Sequence, residues 1–221
     1  MYKDHKLLEF VSDDVIIWQY MCLSKFIDLL KEKKIYLNRL DNYPDKQECT
    51  LTAIDKKLFK YDEDTKAYWD RERKRYFVSC WVESNYELAL MWDTYGKGGV
   101  AIKTTVGNLK QSLAIDKEHI EYLARVCYLD KQLDSSQEPG SPLNILKIPL
   151  SKRKYYEQEQ EIRLLYFSEN DSVTGHNFPI DIELLIEEVL VYPNAPEYFL
   201  KVVNQILKEC GLKLIASHSK I

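Results

Sequence analysis

Strand-like and helix-like segments follow one another along this chain without the regular βαβ rhythm of a doubly wound fold. Apolar, β-branched and aromatic runs predict strands at residues 15–20, 35–37, 75–81, 100–104, 122–129, 161–167, 189–192 and 212–216. The spacing of apolar residues predicts helices at 24–33, 83–95, 109–113 and 199–210, one or two helices within 51–69, and partial helix within 144–156. The glycine-rich loops G-x-G-x-x-G and G-x-x-x-x-G-K-[ST], which bind dinucleotides and phosphates, do not occur. This order predicts a mixed α+β fold.

The length of the chain, 221 residues, is ordinary for one domain that buries its own core. Hydrophobic residues make up 45% and charged residues 30% of the sequence, which is typical of a globular protein. The polar stretch near residues 131–143 is the clearest flexible loop. Because strand-like segments flank this loop, we expect it to lie within a single α/β domain that spans residues 1–221.

Charge and cysteine usage exclude several classes of protein. The net charge of −4 argues against a globally basic nucleic-acid binder. The five cysteines are widely spaced and form no C-x-x-C pair, which predicts reduced thiols in a cytoplasmic protein. The four histidines form no zinc-binding pattern, so we expect no metal site. The beginning of the chain lacks the apolar run of a signal peptide, and we also expect no transmembrane helix and no membrane partner.

The segment 155–167, YYEQEQEIRLLYF, is the most informative for function. In a strand, residues two apart share a face, so the polar face comprises Glu157, Glu159, Glu161 and Arg163. Neighbouring carboxylates raise each other's pKa, whereas an arginine beside them opposes that effect. A strand that buries one face and offers carboxylates to a cleft is suited to catalysis. The alternative is an exposed sheet face with charge pairs across strands.

Other residues carry weaker signals. Basic clusters at residues 71–75 and 152–154 are suited to the phosphates of a nucleic acid or cofactor, although such clusters are more often solvated surface. Trp92 and Tyr95 would share one face of the predicted helix and form a stacking slot, unless they belong to the core. Ser79 and Cys80 lie mid-strand, but no histidine is placed by the sequence to act as their base, which argues against a hydrolase triad.

The ordered motifs of the chain resemble those of a widespread bacterial domain family of unknown function. They are WQYM (18–21), IYLNRLDNYPDKQE (35–48), FVSCWVES (77–84), MWDTYGKGGVAI (91–102), KYYEQEQEIR (154–163) and VLVYPNAP (189–196). Gln19 stands where the first motif of that family commonly carries histidine, and residues 43–48 depart from the family's Asn-Asp-Pro-Phe-Glu turn.

The same series of motifs also resembles, more distantly, the ADP-ribosyltransferase superfamily. The resemblance is strongest to the nucleic-acid-modifying toxin branch of that superfamily. The resemblance implies central mixed or antiparallel sheets split around a cleft, with flanking helices and NAD as a substrate. It implies Glu161 as the glutamate that holds the nicotinamide ribose, Glu159 as its upstream partner and Tyr20 as the ring stacked on nicotinamide. It implies that Gln19 or Arg39 binds the ribose or pyrophosphate of NAD and that Ser79 is the polar residue of the middle strand. With the residue patterns above, the candidate cofactor-binding residues are Gln19, Arg39, Ser79, Trp92 and Tyr95, and the candidate substrate-binding residues are Lys154 and Arg163.

Three functions remain open. The first is an NAD-dependent ADP-ribosyltransferase, a toxin or anti-phage effector that modifies nucleic acid or protein and is held in check by an antitoxin or regulatory protein. Such chemistry needs no metal, only a carboxylate near developing positive charge, polar groups for the phosphates and an aromatic slot. The second is a non-catalytic module that senses a nucleotide or a phage protein. The third is a metal-dependent nucleic-acid enzyme that uses Glu157, Glu159 and Glu161.

Overall fold

The computed structural model describes residues 8–59, 61–115, 121–137, 145–170 and 172–221. The strands are β1 (Ile16–Cys22), β2 (Lys34–Arg39), β3 (Tyr76–Glu83), β4 (Gly99–Thr105), β5 (Glu121–Arg125), β6 (Cys127–Leu129), β7 (Ser151–Arg153), β8 (Glu161–Phe167), β9 (Gly175–Pro179), β10 (Glu188–Val191) and β11 (Ser217–His218). The helices are α1 (Leu23–Glu32), α2 (Ala53–Leu58), α3 (Glu63–Glu72), α4 (Ala89–Met91), α5 (Val106–Ser112), α6 (Ile182–Leu185) and α7 (Glu197–Glu209). In these ranges no helix is long and apolar enough to cross a bilayer.

One large sheet organises the fold. Its strand order is β11-β10-β4-β1-β3-β2-β9, and β8 and β5 extend it from the other edge of β3. Every pair in this sheet is antiparallel except β10 with β11. A separate parallel pair joins β6 to β7. The prediction of a mixed α+β fold is therefore confirmed.

The large sheet is split next to β3. Strand β1 pairs with β3 only through Ile17 and Trp18, which lie opposite Glu83 and Val82. Strand β2 pairs with the same edge of β3 only through Asn38 and Arg39. Residues 79–81 of β3 pair with β8 but with neither β1 nor β2. The predicted cleft between parts of a split sheet is thus confirmed.

Both faces of β3 are buried, which explains its nearly continuous apolar sequence. Side chains alternate across a strand, so Phe77 and Trp81 join the main core, whereas Tyr76 and Val78 join a second cluster. A smaller third cluster, which includes Trp18, Tyr20 and Trp92, packs on the part of the sheet next to the gap. The three packed clusters thus support the strands on both sides of the gap.

Three predicted elements differ from the structure. The predicted helix 83–95 is only α4 followed by a π-helical turn at Trp92–Gly96, because Glu87 is buried and accepts hydrogen bonds from Trp92 and from residues 219 and 220. The predicted strand 212–216 is wrong, since only residues 217–218 pair with β10. The predicted strand 122–129 is divided between two sheets.

The polar stretch near 131–143 is described only as far as residue 137. In that part Ser135 and Ser136 donate hydrogen bonds to the buried Asp55 carboxylate at 2.6 and 2.7 Å. Lys131 donates to Thr50 O and Ser151 Oγ. Residues 138–143 lie outside the described ranges, so the predicted flexibility of this loop stays a prediction.

Candidate functional site

The gap beside β3 opens into a cavity of about 630 Å³, a size that suits a small ligand or a cofactor. Its walls come from β1, β2, β3 and α1. Further lining side chains are contributed by Tyr43, Tyr95, Lys152, Glu159 and Glu161. The cavity therefore combines aromatic, amide and charged groups from distant parts of the sequence.

Glu161 is the central charged group of this cavity. It is the first residue of β8 and lies opposite Val82, with only 5% of its surface exposed. Lys152 Nζ lies 2.5 Å from its Oε1, and Arg163 Nε lies 2.8 Å from its Oε2. Burial opposes ionisation of Glu161, but the charges of Arg163 and Lys152 outweigh it and lower the pKa of the carboxyl. The cavity wall thus holds a fixed carboxylate at neutral pH.

Arg163 is enclosed by protein and does not line the cavity. It is 1% exposed. Besides Glu161 it contacts Glu48, with Nη2 at 2.5 Å from Oε1, and donates through Nη1 to Pro149 O at 2.6 Å. The predicted role of Arg163 in binding substrate is therefore corrected: its hydrogen bonds go to neighbouring protein groups, and it fixes Glu161.

Glu159 reaches the cavity by a different route from the one the sequence predicted. Residues Lys154–Glu159 form 3₁₀ turns, and Gln160 has a left-handed φ of 43°, so the chain bends just before β8. Lys152 Nζ lies 2.6 Å from Glu159 Oε2, and Tyr95 OH donates to Oε1 at 3.3 Å. Burial raises the pKa of Glu159 to about 7. Glu157 is exposed on the same turn. The prediction that four charged residues share one strand face is therefore correct for Glu161 and Arg163 and wrong for Glu157 and Glu159.

Gln19 bridges the gap in the sheet. Its Nε2 donates to Ser79 Oγ at 3.0 Å and to Cys80 O at 3.3 Å. The predicted site residues Gln19 and Ser79 both line the cavity. Burial raises the pKa of the Cys80 thiol to about 12, which keeps it protonated and poorly nucleophilic at neutral pH.

Tyr20 and Tyr95 line the cavity, whereas Trp92 lies behind it. The Tyr20 hydroxyl accepts a hydrogen bond from Leu88 N at 2.8 Å, and burial raises its pKa to about 12. The Trp92 ring packs edge-on against Tyr20 at 5.1 Å, and its Nε1 donates to Glu87 at 2.8 Å. The predicted role of Trp92 in the cofactor slot is corrected accordingly: Trp92 is a buried support for Tyr20.

Gly96 makes the contact between Trp92 and Tyr20 possible, and Gly96→Ala is expected to displace both rings. A Cβ at this position would lie 2.4 Å from Trp92 Cε3 and 3.3 Å from Tyr20 Cδ1. Overpacking of this kind costs about 1–3 kcal/mol. We expect a lower urea midpoint together with a changed near-UV circular dichroism spectrum.

Gly98→Ala is the matched control for this prediction. Gly98 has a φ of 66° and open space around its Cα, so alanine there strains the backbone without touching an aromatic ring. It should lower stability and leave the near-UV spectrum as it is. A wild-type spectrum in Gly96→Ala would contradict the prediction.

Arg39 and Lys154 are not among the residues that line the cavity. Arg39 pairs with Asp41 through Nε at 2.6 Å and donates to Val173 O at 2.9 Å, so its predicted place in the NAD site is corrected. Lys154 is exposed on the turn that precedes Gln160. Its role in binding substrate stays a prediction.

Sequence reasoning missed the groups that surround the glutamates. Lys152 was one of three adjacent basic residues, and β7 is too short to show which of them is buried. Glu48 and Tyr43 lie in the motif 35–48, in which the sequence assigned a role to Arg39 alone. Across the described ranges, no three or more His, Cys, Asp or Glu side chains form a group that could hold a metal ion. The three glutamates of the metal-dependent hypothesis are thus not brought together.

The chain has little similarity in sequence to known proteins. No family model matches the sequence, and no curated protein matches it. Among solved structures, the chain is similar to "Thermus sp. 2.9 DarT in complex with NAD+", with 14% sequence identity and a TM-score of 0.42 over 96% of this chain and 98% of that chain.

Proposed function

We propose that this protein is an NAD-dependent ADP-ribosyltransferase. The observation that carries the proposal is the Glu161 carboxylate, which two cations fix in the wall of a cavity of about 630 Å³. When the bond between nicotinamide and ribose breaks, positive charge develops on the sugar. A preorganised carboxylate in a site shielded from water stabilises such charge without reorganising.

The remaining residues of the cavity fit the same reaction. Tyr20 and Tyr95 offer aromatic surface to a nicotinamide ring. In the transfer, the C1′–N bond breaks and nicotinamide leaves with the electron pair. An acceptor oxygen or nitrogen then forms a bond to C1′ and loses its proton. Glu159, with a pKa of about 7, is suited to take up that proton near neutral pH.

A non-catalytic nucleotide-binding module is the second candidate. It is favoured by the fact that both oxygens of Glu161 already contact a cation, which reduces the charge available to a developing sugar cation. Such a module would bind NAD or a related nucleotide without consuming it. Nucleotide turnover therefore separates the two functions.

The test is the release of nicotinamide. Purified protein is mixed with NAD and with RNA, DNA or lysate protein in separate reactions, and nicotinamide and acceptor adducts are measured by mass spectrometry. We expect release by the wild type, loss of release in Glu161→Gln, and an added ADP-ribose on one class of acceptor. Folded wild-type protein that binds NAD but releases no nicotinamide with any acceptor would favour the binding module instead.

The biological role that we propose is that of a toxin or anti-phage effector acting on nucleic acid or protein. A host that carries such an enzyme needs an antitoxin or regulatory protein to restrain it. Expression in a bacterial host tests this role: the wild type should arrest growth, and Glu161→Gln should not. Normal growth at equal wild-type expression would count against it.

A further inference from the structure

Lys152 occupies a central position between the two glutamates of the cavity. It is buried, and its Nζ lies 2.6 Å from Glu159 Oε2 and 2.5 Å from Glu161 Oε1. The same ammonium lies over the Tyr156 ring at 4.7 Å. One cation thus contacts a carboxylate from the 3₁₀ turn and a carboxylate from β8.

The small sheet of β6 and β7 fixes this position. Lys152 lies opposite Tyr128 in its register, and the Tyr128 hydroxyl accepts a hydrogen bond from Glu161 N at 2.8 Å. The pair of strands therefore contacts Glu161 twice, once at its side chain and once at its main chain. The two-stranded sheet of β6 and β7 thus holds the Glu161 side chain and main chain in position beside the cavity.

We propose that Lys152 is a positioning residue that ties Glu159 to Glu161 and holds the Glu161 carboxylate ionised in the cavity wall. Arg163 cannot do this alone, because its guanidinium is shared between Glu161 and the buried Glu48. With Lys152 removed, one cation would face the two carboxylates of Glu48 and Glu161, and Glu159 would lose its only ion-pair partner among the described residues. Only the activity measurements below depend on the proposed function.

Several other titratable groups surround Lys152 and the two glutamates, either directly or, for Glu48, through Arg163. They are Tyr43, Glu48, Cys80, Tyr95, Tyr128, Tyr156 and Arg163. Burial raises the pKa values of Cys80, Tyr95 and Tyr128 and keeps them neutral near pH 7. The charge balance of the cluster therefore depends on the carboxyls, Lys152 and Arg163.

Substitution of Lys152 tests the proposal through pH dependence. An opposite charge this close lowers a carboxyl pKa by about 1–3 units, so Lys152→Met should raise the pKa of Glu161 by about one unit or more. ¹³C NMR of the glutamate carboxyls should show Glu161 titrating at a higher pH than in the wild type. The acidic limb of kcat/KM for NAD turnover follows the ionisation of both glutamates. Since Lys152 lowers the pKa of each, this limb should also move to higher pH in Lys152→Met, and Lys152→Arg should restore most of the wild-type profile.

Two further variants keep the result interpretable. Lys201→Met removes an exposed lysine on α7 and should change neither titration nor turnover. If Lys152→Met does not fold, Lys152→Gln keeps a hydrogen-bond donor without the charge and should show the same pKa shift.

The outcomes separate this proposal from the proposed function. If the wild type releases no nicotinamide, the transferase proposal fails, and the carboxyl titration still tests Lys152. The proposal about Lys152 is overturned if Glu161 titrates as in the wild type when the charge at position 152 is lost. A uniform loss of turnover at every pH, with an unmoved acidic limb, also overturns it, because that result indicates packing alone.

Discussion

Glu161→Gln is expected to lower NAD turnover by a factor of about 100 to 1,000, the effect of removing one preorganised electrostatic group from a transition-state site. The substitution keeps the shape of the side chain and removes the charge that would face the developing sugar cation. Initial rates of nicotinamide release, measured at saturating NAD, check this expectation.

The loss of charge in Glu161→Gln should also lower the free energy of unfolding. The kinetic result therefore needs a control variant that is destabilised to a similar extent. Glutamine leaves Lys152 and Arg163 each without a carboxylate that the wild type supplies at 2.5 and 2.8 Å. Glu48→Gln removes the other carboxylate partner of Arg163 at a buried position that does not line the cavity. It should lower the free energy of unfolding comparably and reduce turnover far less. Equal losses of turnover in the two variants would show that stability, not the Glu161 charge, limits the reaction.

Arg163→Met is expected to lower the free energy of unfolding by about 3–5 kcal/mol, the usual effect of removing one partner from a buried ion pair. Two buried carboxylates, Glu48 and Glu161, would lose their shared cation, and Pro149 O would lose a donor. Urea unfolding monitored by circular dichroism measures the change. Arg125→Met is the control, because the side chains of the Arg125–Glu83 ion pair are 35% and 32% exposed and pairs open to solvent contribute about 0–1 kcal/mol.

The difference between wild type and Arg163→Met should depend on pH. The pKa of Glu161 is lower in the folded than in the unfolded protein, so this carboxyl stabilises the fold above its unfolded pKa of about 4.3. That contribution is lost as pH falls through the folded pKa. We therefore expect the destabilisation by Arg163→Met to be largest near neutral pH and to shrink below about pH 4. A loss no larger than that of Arg125→Met at pH 7 would contradict the ion-pair account.

Strand β8, which begins with the candidate catalytic residue Glu161, is the element that the sequence predicted best. Residues 161–167 were predicted as a strand and form β8 with the same bounds, because an apolar face alternates with charged residues that pair inside the protein. The predicted helix 199–210 likewise corresponds to α7, since its apolar residues recur at helical spacing. Local periodicity is strong in both segments and agrees with their tertiary contacts.

The parts of the site that could not be predicted depend on backbone bends and polar contacts that the pattern of apolar residues does not reveal. Glu159 faces the cavity because the left-handed Gln160 redirects the chain, which a two-residue period does not reveal. Glu48 is buried against Arg163, which lies 115 residues further along the sequence. Trp92 leaves the cavity wall because Glu87 accepts its indole N–H. Of these three features, the contact of Glu48 with Arg163 joins distant segments, whereas the bend at Gln160 and the hydrogen bond from Trp92 to Glu87 are local but leave no mark on the apolar pattern.

The gap beside β3 has a consequence for how this site should be studied genetically. The carbonyl of Cys80 faces the gap, where it accepts a hydrogen bond from Gln19, and in an antiparallel strand the N–H of a residue points to the same side as its carbonyl. A ligand recognised by these main-chain atoms keeps that contact whichever side chain occupies position 80. Scanning mutagenesis would therefore underestimate the contribution of this strand. Sequence drift at position 80 among related chains need not signal loss of binding.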